Sequence, residues 1–557
     1  MSGSGEGTTP GRAGALRADH PWVTAAVTFV IVLAPFLAWA LATPPYASPD
    51  ENDHVRYAVA VASFTPVEAI PADDGQWSAE LFEQLDRRAL TPERIAVGWG
   101  YARLPAFYGQ EGFTCFNFRS NVTAECQQLG PLDGTSELVM STRLYPKPYY
   151  AIVGLPSLVV DNSHTLFAMR AISGALAAAA ITFAIMVARR RHRPMLLGIA
   201  VALTPMVWFM GASVNPNGTE IALAMAWWVG LVALLDDERV PRTRGLLVGT
   251  VVVGAGLAVV RPLSLVWLGL IAIVVMINAG LGPLRRVLAD RAVLVGGAIV
   301  LVVCAVQTVL VLGNGSLGST DPRTALAGIE TSAALRTSIG RQPKILEEMI
   351  GVFGWLDTRV PAAVVVAWLV VLGIVVALAL VTGRRRHLIV LAGLGVAAVA
   401  VPVALEVQGV SAVGFIWQGR YSLPLAIGVP LLAARAIDIG HGVTITAPAQ
   451  RRLALAVTAT TAVGAGIAFY QALRRYTVGV SGSVLLWDDI RWQPPVPAWS
   501  AVVLGVGAHL VMGWWLYMLI THRPPRTTTA AATPATTVAA PLHDVADDVT
   551  DEVGRAG

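Results

Sequence analysis

The chain has 557 residues, is 55% hydrophobic and only 14% charged, and carries a formal net charge of +4. A mean hydropathy of +0.61 excludes a water-soluble globule of this length, and apolar runs of about 20 residues recur from end to end, so the class is a polytopic helical membrane protein. The small positive excess sits in short loops and reads as a topology signal, which argues against nucleic-acid binding.

Residues 1–21 are a short N-terminal segment. The first apolar run is Trp22 to Ala42. Ala40-Leu41-Ala42 resembles a signal cleavage site, but the run exceeds a signal core of about 7–15 residues. It is expected to remain as the first membrane helix. Further spans are expected at 165–188, 195–213, 218–235, 245–260, 263–281, 292–313, 361–382, 388–405, 421–438, 453–471 and 499–520, giving about twelve. The arginines test this count. Arg189, Arg190, Arg191 and Arg193 fall on one side; so do Arg239, Arg242 and Arg244; Arg285, Arg286 and Arg291; Arg384 to Arg386; Arg451 and Arg452; Arg523 and Arg526. With twelve spans that side is the cytoplasm, and both termini lie there.

The opposite face then carries the large loops: 44–164, the longest, and about 314–360, 406–420 and 472–498. Cys115 and Cys126 lie in the first loop with ten residues between them. On the oxidising side a disulfide is expected, two free thiols being the alternative. Cys304 falls within a span and packs as a small apolar residue. Residues 523–557 run through Thr, Ala and Pro to an acidic end, a composition that cannot bury a core, so a disordered cytoplasmic tail is expected. Lys147 and Lys344 are the only lysines. Together with the richness in Ala, Val and Gly, this suggests a high-GC bacterial genome and hence a bacterial plasma membrane.

The densest polar stretch is SPDENDHVRY, Ser48 to Tyr57. Ser48 fits an N-cap, Pro49 the first helical position, and Glu51 a capping box. That reading leaves Asp53 and His54 unexplained. On a helix, Asp50 and His54 share a side, as do Asp53 and Tyr57. Val55, Ala58, Val59 and Ala62 then give an apolar side to rest on lipid or neighbouring helices. A carboxylate fixed at the water–lipid boundary suits a general base. Asp50, Asp53 and His54 also have the chemistry to hold a divalent cation, Mn or Mg.

Several segments follow one another over most of residues 22–440: Pro49-Asp50-Glu51 with His54, Pro148-Tyr149-Tyr150, Ser213-Val214-Asn215-Pro216-Asn217-Gly218, Phe353-Gly354-Trp355-Leu356-Asp357-Thr358, and Gln418-Gly419-Arg420-Tyr421-Ser422-Leu423-Pro424. In this order they resemble a bacterial polytopic family catalogued as a domain of unknown function and grouped with the GT-C membrane glycosyltransferases. The resemblance implies an all-α integral membrane protein over 22–522, with about twelve transmembrane helices in a GT-C-like arrangement and a long first extracytoplasmic loop. It implies transfer of a sugar from a polyprenyl-phosphate donor to an envelope glycan or glycolipid at the outer face. By position the catalytic acid is Asp50, with Glu51 beside it; the order between the two stays open.

The departing phosphate needs a fixed cation. Arg420 is the first candidate, at the outer end of a span between Gly419 and Tyr421. Arg261, Arg170 and Lys147 follow. His54 and Tyr421 are candidates for contact with substrate, and Trp355 and Asp357 for closing over a sugar. Asn215-Pro216-Asn217-Gly218 reads as a tight turn. The alternative reading is a secondary transporter or lipid-carrier flippase, which the Arg261-Pro262 break keeps open. A non-catalytic envelope scaffold is a third. The topology is testable: single cysteines placed within 80–140 and 325–355 should react with an impermeant reagent in intact cells. Labelling only after access from the cytoplasm would invert the assignment.

Overall fold

The computed structural model describes residues 21–522, apart from 72, 89–97, 110, 129–132, 160–162, 236–242, 315–325, 327 and 440–445. The expected tail and Arg239, Arg242, Arg523 and Arg526 lie outside the described residues.

Twenty α-helices are described. The first four are α1 (Pro21–Ala42), α2 (Glu51–Ala62), α3 (Ala79–Arg87) and α4 (Lys147–Val153). Next come α5 (Ser163–Arg191), α6 (Met195–Ala202), α7 (Pro205–Gly211), α8 (Pro216–Leu234), α9 (Arg244–Val260), α10 (Ser264–Ala279), α11 (Leu281–Leu288) and α12 (Arg291–Gly313). The remainder are α13 (Thr331–Gly340), α14 (Gln342–Gly351), α15 (Ala362–Thr382), α16 (Arg385–Val413), α17 (Gly419–Ala426), α18 (Gly428–Ile439), α19 (Ala447–Thr477) and α20 (Ala498–Thr521).

Every expected span coincides with one of these helices or with a consecutive pair of them. Among the described residues nine helices are long and apolar enough to cross a membrane, or ten if the bent pair α10–α11 is one span. The two others are shorter for local reasons. Helix α9 has 17 residues. The stretch 195–213 breaks at Leu203-Thr204, because Pro205 opens α7 and cannot continue α6. Gly280, at φ 82°, separates α10 from α11, which are bent by 114°. The protein is a multi-pass, all-α membrane protein. Helix α8 is central, with 89% of its apolar window buried, against 17% for α12.

Two spans outrun their expected ends, because buried charges find partners. Helix α16 continues past Glu406, whose carboxylate accepts from Arg341, from Ser338 Oγ at 2.7 Å and from the Trp417 amide at 3.0 Å. Helix α19 continues through Arg474 and Arg475. Arg474 donates to the carbonyls of Ser483, Val480 and Gly482. Arg475 donates to those of Val122, Phe116 and Arg119, and to Asp357.

The long first loop carries α2 to α4 and an antiparallel sheet of β1 (Glu68–Ala69), β2 (Gly100–Pro105) and β3 (Thr135–Met140), in that order. Helix α2 does not lie on lipid: Val55, Ala58, Val59 and Ala62 are all buried in the protein. A hairpin, β4 (Val352–Phe353) and β5 (Thr358–Arg359), follows α14. Trp39 of α1 fixes it. The Trp39 ring meets Phe353, Phe469 and Phe209 with centroids 5.0, 5.2 and 5.7 Å apart.

Cys115 and Cys126 are disulfide-bonded, with Cα atoms 6.1 Å apart, and Cys304 is a half-buried free thiol in α12. The bridge closes the very segment whose carbonyls receive Arg475. Replacing both cysteines by serine should cost ~3 kcal/mol, read as a lower melting midpoint in detergent. Unreduced peptide mapping of the wild type should recover Cys115 linked to Cys126.

Candidate active site

The site is built around the short connection from α1 to α2. Glu51 is the first residue of α2 and is fully buried. Arg170 of α5 meets it with Nε to Oε1 at 2.8 Å and Nη2 to Oε2 at 2.5 Å. The remaining Arg170 hydrogens go to the carbonyls of Ala40, Thr43 and Pro44. A guanidinium has five N–H donors, and all five are used. Arg170 therefore has none left for a phosphate, and the substrate role expected of it gives way to a structural one. Glu51 likewise is no free base: Oε1 also accepts from the Val214 amide at 3.0 Å.

The capping box is absent. The Glu51 side chain faces Arg170, the Ser48 hydroxyl has no partner in the protein, and the residue before α2 is Asp50. Asp50 sits at φ 61°, ψ 6°, a left-handed conformation. Asp and Asn tolerate that region better than most residues. Both neighbours are pinned, Glu51 by Arg170 and Pro49 by Asn215, whose Nδ2 donates to the Pro49 carbonyl at 3.0 Å. Asn215 is also the N-cap of α8, with Oδ1 accepting from the Asn217 amide. The segment expected as a tight turn is thus a helix start that grips the α1–α2 connection.

So held, Asp50 projects to Arg420. Arg420 Nη2 donates to Asp50 Oδ2 at 2.9 Å, and to Tyr421 Oη at 3.0 Å. The Asp50 side chain is 42% exposed, whereas Arg420 is 3% exposed. Burial raises the Asp50 carboxyl above its usual range and Arg420 opposes the rise; the remaining exposure moderates both. Two guanidiniums approach the Tyr421 ring. Arg420 is 4.9 Å from its ring centroid and Arg261 is 5.2 Å from it.

Arg261, in the α9–α10 break, donates from Nη1 to Asn217 Oδ1 at 2.6 Å and to Glu220 Oε2 at 2.7 Å. Ser264 Oγ donates to Glu220 Oε1. The Nε atoms of both Arg261 and Arg420 are buried without a partner in the protein. Two buried guanidiniums with spare donors, next to one half-exposed carboxylate, form a site suited to an anion.

Other expected residues are placed differently. His54 Nδ1 is hydrogen-bonded to the Tyr150 hydroxyl at 2.8 Å. Burial pushes its pKa down to about 3, so the ring is neutral. Asp53 is committed elsewhere, to Arg88 at 3.0 Å and to the Ser141 amide and hydroxyl. Burial pushes the Asp53 carboxyl up, but Arg88 and Arg56 outweigh this and hold it below its usual range. Asp50, Asp53 and His54 thus point to different partners. Among the described residues no group of three His, Cys, Asp or Glu side chains is placed to hold a metal ion.

Asp357 accepts from Arg475 at 3.0 Å and from Thr358 Oγ1 at 2.9 Å; it anchors the hairpin instead of offering itself to hydroxyls. Trp355 donates from Nε1 to the Tyr46 carbonyl at 3.3 Å and meets Phe118 edge-on, so it stays beside the connection that carries Asp50. Lys147 is exposed at the start of α4. Tyr145 was not expected. Its ring lies 5.5 Å from His54 and 5.9 Å from the Arg261 guanidinium.

The family model described as "Predicted membrane protein (DUF2142)" matches residues 33–429. The chain belongs to this family. The matched region of the DUF2142 chain holds Asp50, Arg261 and Arg420, and it ends within α18. No curated protein matches the sequence. Two solved structures are similar over 90% of this chain and 78% of their own, at 13% identity. Both are ArnT from Cupriavidus metallidurans: one bound to undecaprenyl phosphate, with TM-score 0.42, and one in the apo state, with TM-score 0.40.

The two neighbouring acids of the DUF2142 chain should separate in stability. Glu51→Gln leaves Arg170 buried without its counter-charge and should cost about 3–5 kcal/mol. Asp50→Asn keeps a tolerated left-handed residue at a partly exposed position and should cost under ~1 kcal/mol. Thermal unfolding of the purified variants reads both.

Proposed function

We propose that this chain is a membrane glycosyltransferase that moves a sugar from a polyprenyl-phosphate donor to an envelope glycan or glycolipid acceptor outside the plasma membrane. The observation that carries the reading is the Asp50–Arg420 pair, with Arg261 also against the Tyr421 ring and an apolar cavity close by. That cavity has a volume of about 470 Å³ and is lined by residues such as Leu369, Leu372, Ala398, Val399, Leu423 and Pro430. Leu423 lies one turn along α17 from Arg420. A prenyl chain suits such walls, and a phosphate suits the two guanidiniums.

In this mechanism the entering phosphate takes donors of Arg420 and Arg261 and releases Asp50 from its ion pair. Asp50 accepts the proton of an acceptor hydroxyl. The hydroxyl oxygen attacks the anomeric carbon, and the bond from that carbon to the phosphate oxygen breaks. Polyprenyl phosphate leaves with the electron pair, and the arginines meet its charge. Glu51 takes no part in proton transfer. A base must be ionised, and the Asp50 carboxyl is raised. Transfer should therefore fall on acidification from above the ordinary carboxylate range.

Asp50→Asn should lower transfer by ~10²–10⁴ with normal accumulation in the membrane. Arg420→Lys should lose much of the activity, because a point charge does not replace a planar fork, and Arg420→Ala should lose more. The assay is glycan and lipid-linked sugar analysis by mass spectrometry, in a deletion strain complemented with each variant and then with purified protein in liposomes. Transfer by Asp50→Asn at near the wild-type rate would overturn the catalytic assignment. Movement of the lipid carrier across the bilayer with no new glycosidic bond would favour the flippase reading.

A further inference from the structure

We infer that Glu348 is a positioning residue, which sets Arg420 in place by capping, from a different helix, the helix that carries it. The inference rests on the proposed role of Arg420 toward the donor phosphate.

Helix α17 opens at Gly419, and its N-cap residue, Gln418, makes no side-chain capping bond. The first amides of a helix have no partner within it. Here the Gly419 amide donates instead to Glu348 Oε2 of α14, at 2.8 Å. Glu348 is 1% exposed. A carboxylate at this end of a helix also meets the positive end of the dipole. Arg420 is the next residue, so the bond fixes the backbone from which the guanidinium reaches Asp50.

Two further observations point the same way. Gly419 packs so closely on α14 that a Cβ there would lie 2.5 Å from the Met349 amide nitrogen and 2.6 Å from the Ile345 carbonyl oxygen. The backbones of α14 and α17 are thus in direct contact at this point. Glu348 and Arg420 also line one small cavity, together with Pro49. The other face of α14 presents Gln342, Leu346 and Met349 to the large apolar cavity. Helix α14 is the wall shared by the two spaces, and Glu348 ties that wall to the arginine.

Capping needs an acceptor oxygen and does not need a full charge. Lys344, which is half-exposed, lies 3.8 Å from Oε1. Burial raises the Glu348 carboxyl above its usual range, with the Gly419 amide and Lys344 opposing. A weakened charge there still accepts from the amide and repels a bound phosphate less.

The test measures decaprenyl phosphate binding and sugar transfer with full-length protein in nanodiscs. Glu348→Ala should weaken binding about tenfold, with KM rising for the donor and not for the acceptor. Glu348→Gln keeps the acceptor oxygen and should restore affinity to within about threefold of wild type. Gly419→Ala, with Glu348 intact, should pry α17 from the carboxylate and reproduce the loss. Equal losses in the Gln and Ala variants would overturn capping, and so would wild-type binding by Glu348→Ala or by Gly419→Ala. If Glu348→Ala does not fold, the Gln and Gly419 variants decide. Failure of the wild type to bind decaprenyl phosphate would instead overturn the donor reading, and the inference with it.

Discussion

The buried ion pair between Glu51 and Arg170 is the contact on which the loop-side site depends. Taking two charges out of water costs several kcal/mol per ion, and the pair is tolerable only when every remaining donor and lone pair is satisfied. Arg170 meets that condition completely. Its five hydrogens tie the end of α1, the connection after it and the start of α2 to one point on α5. The chain is then forced to turn at Asp50. A left-handed residue costs of order 1–3 kcal/mol and persists only when its surroundings over-determine it. Glu51 on one side and Pro49, gripped by Asn215, on the other supply that constraint.

A count of N–H donors divides the buried arginines into two kinds. Arg170 spends all five of its donors on carbonyls and a carboxylate of the fold, and so acts as an internal strut. Arg261, Arg420 and Arg475 each keep a buried Nε without a protein partner. Burial of such a donor costs free energy, and two of the three belong to guanidiniums 5.2 and 4.9 Å from the Tyr421 ring centroid, those of Arg261 and Arg420. Other partners complete the frame: His54 and Tyr150 hold each other, and Asn217 steadies Arg261 together with Glu220. The site combines rigid walls with a few unspent donors, an arrangement suited to a charged headgroup more than to a neutral one.

Much of this was legible in the sequence, and the limits have a physical cause. Apolar length alone located the membrane helices, nine or ten of them long and apolar enough to cross a membrane among the described residues, because a chain in lipid must satisfy its backbone within each segment. Charge density in an oily chain marked Asp50, and the Gly-Arg-Tyr sequence marked Arg420. The capping-box reading of Ser48 and Glu51 failed because a local rule met a stronger distant partner. Arg170, 119 residues away, offers Glu51 two charge-assisted bonds where a box offers one amide. Asp357 and Arg475 are 118 residues apart, and Glu348 and Gly419 are 71 apart. Nothing in the periodicity of either segment announces such pairings. The span ends at Glu406 and at Arg474 were misjudged for the same reason, since a charge stops a membrane helix only if nothing in the fold receives it.

The cage around Arg475 has a consequence for biogenesis. Its acceptors, the carbonyls of Phe116, Arg119 and Val122, leave the ribosome about 353 residues before the arginine that will bind them. At ~5–20 residues per second, that interval is on the order of tens of seconds. Throughout it the segment must hold its shape without its central cation. The Cys115–Cys126 bridge is the one covalent tie that keeps it in form meanwhile. Oxidation of the first loop therefore belongs early in assembly, and docking of the last helices belongs at the end. A delay in oxidation of the loop would present α19 with a receptor that no longer fits.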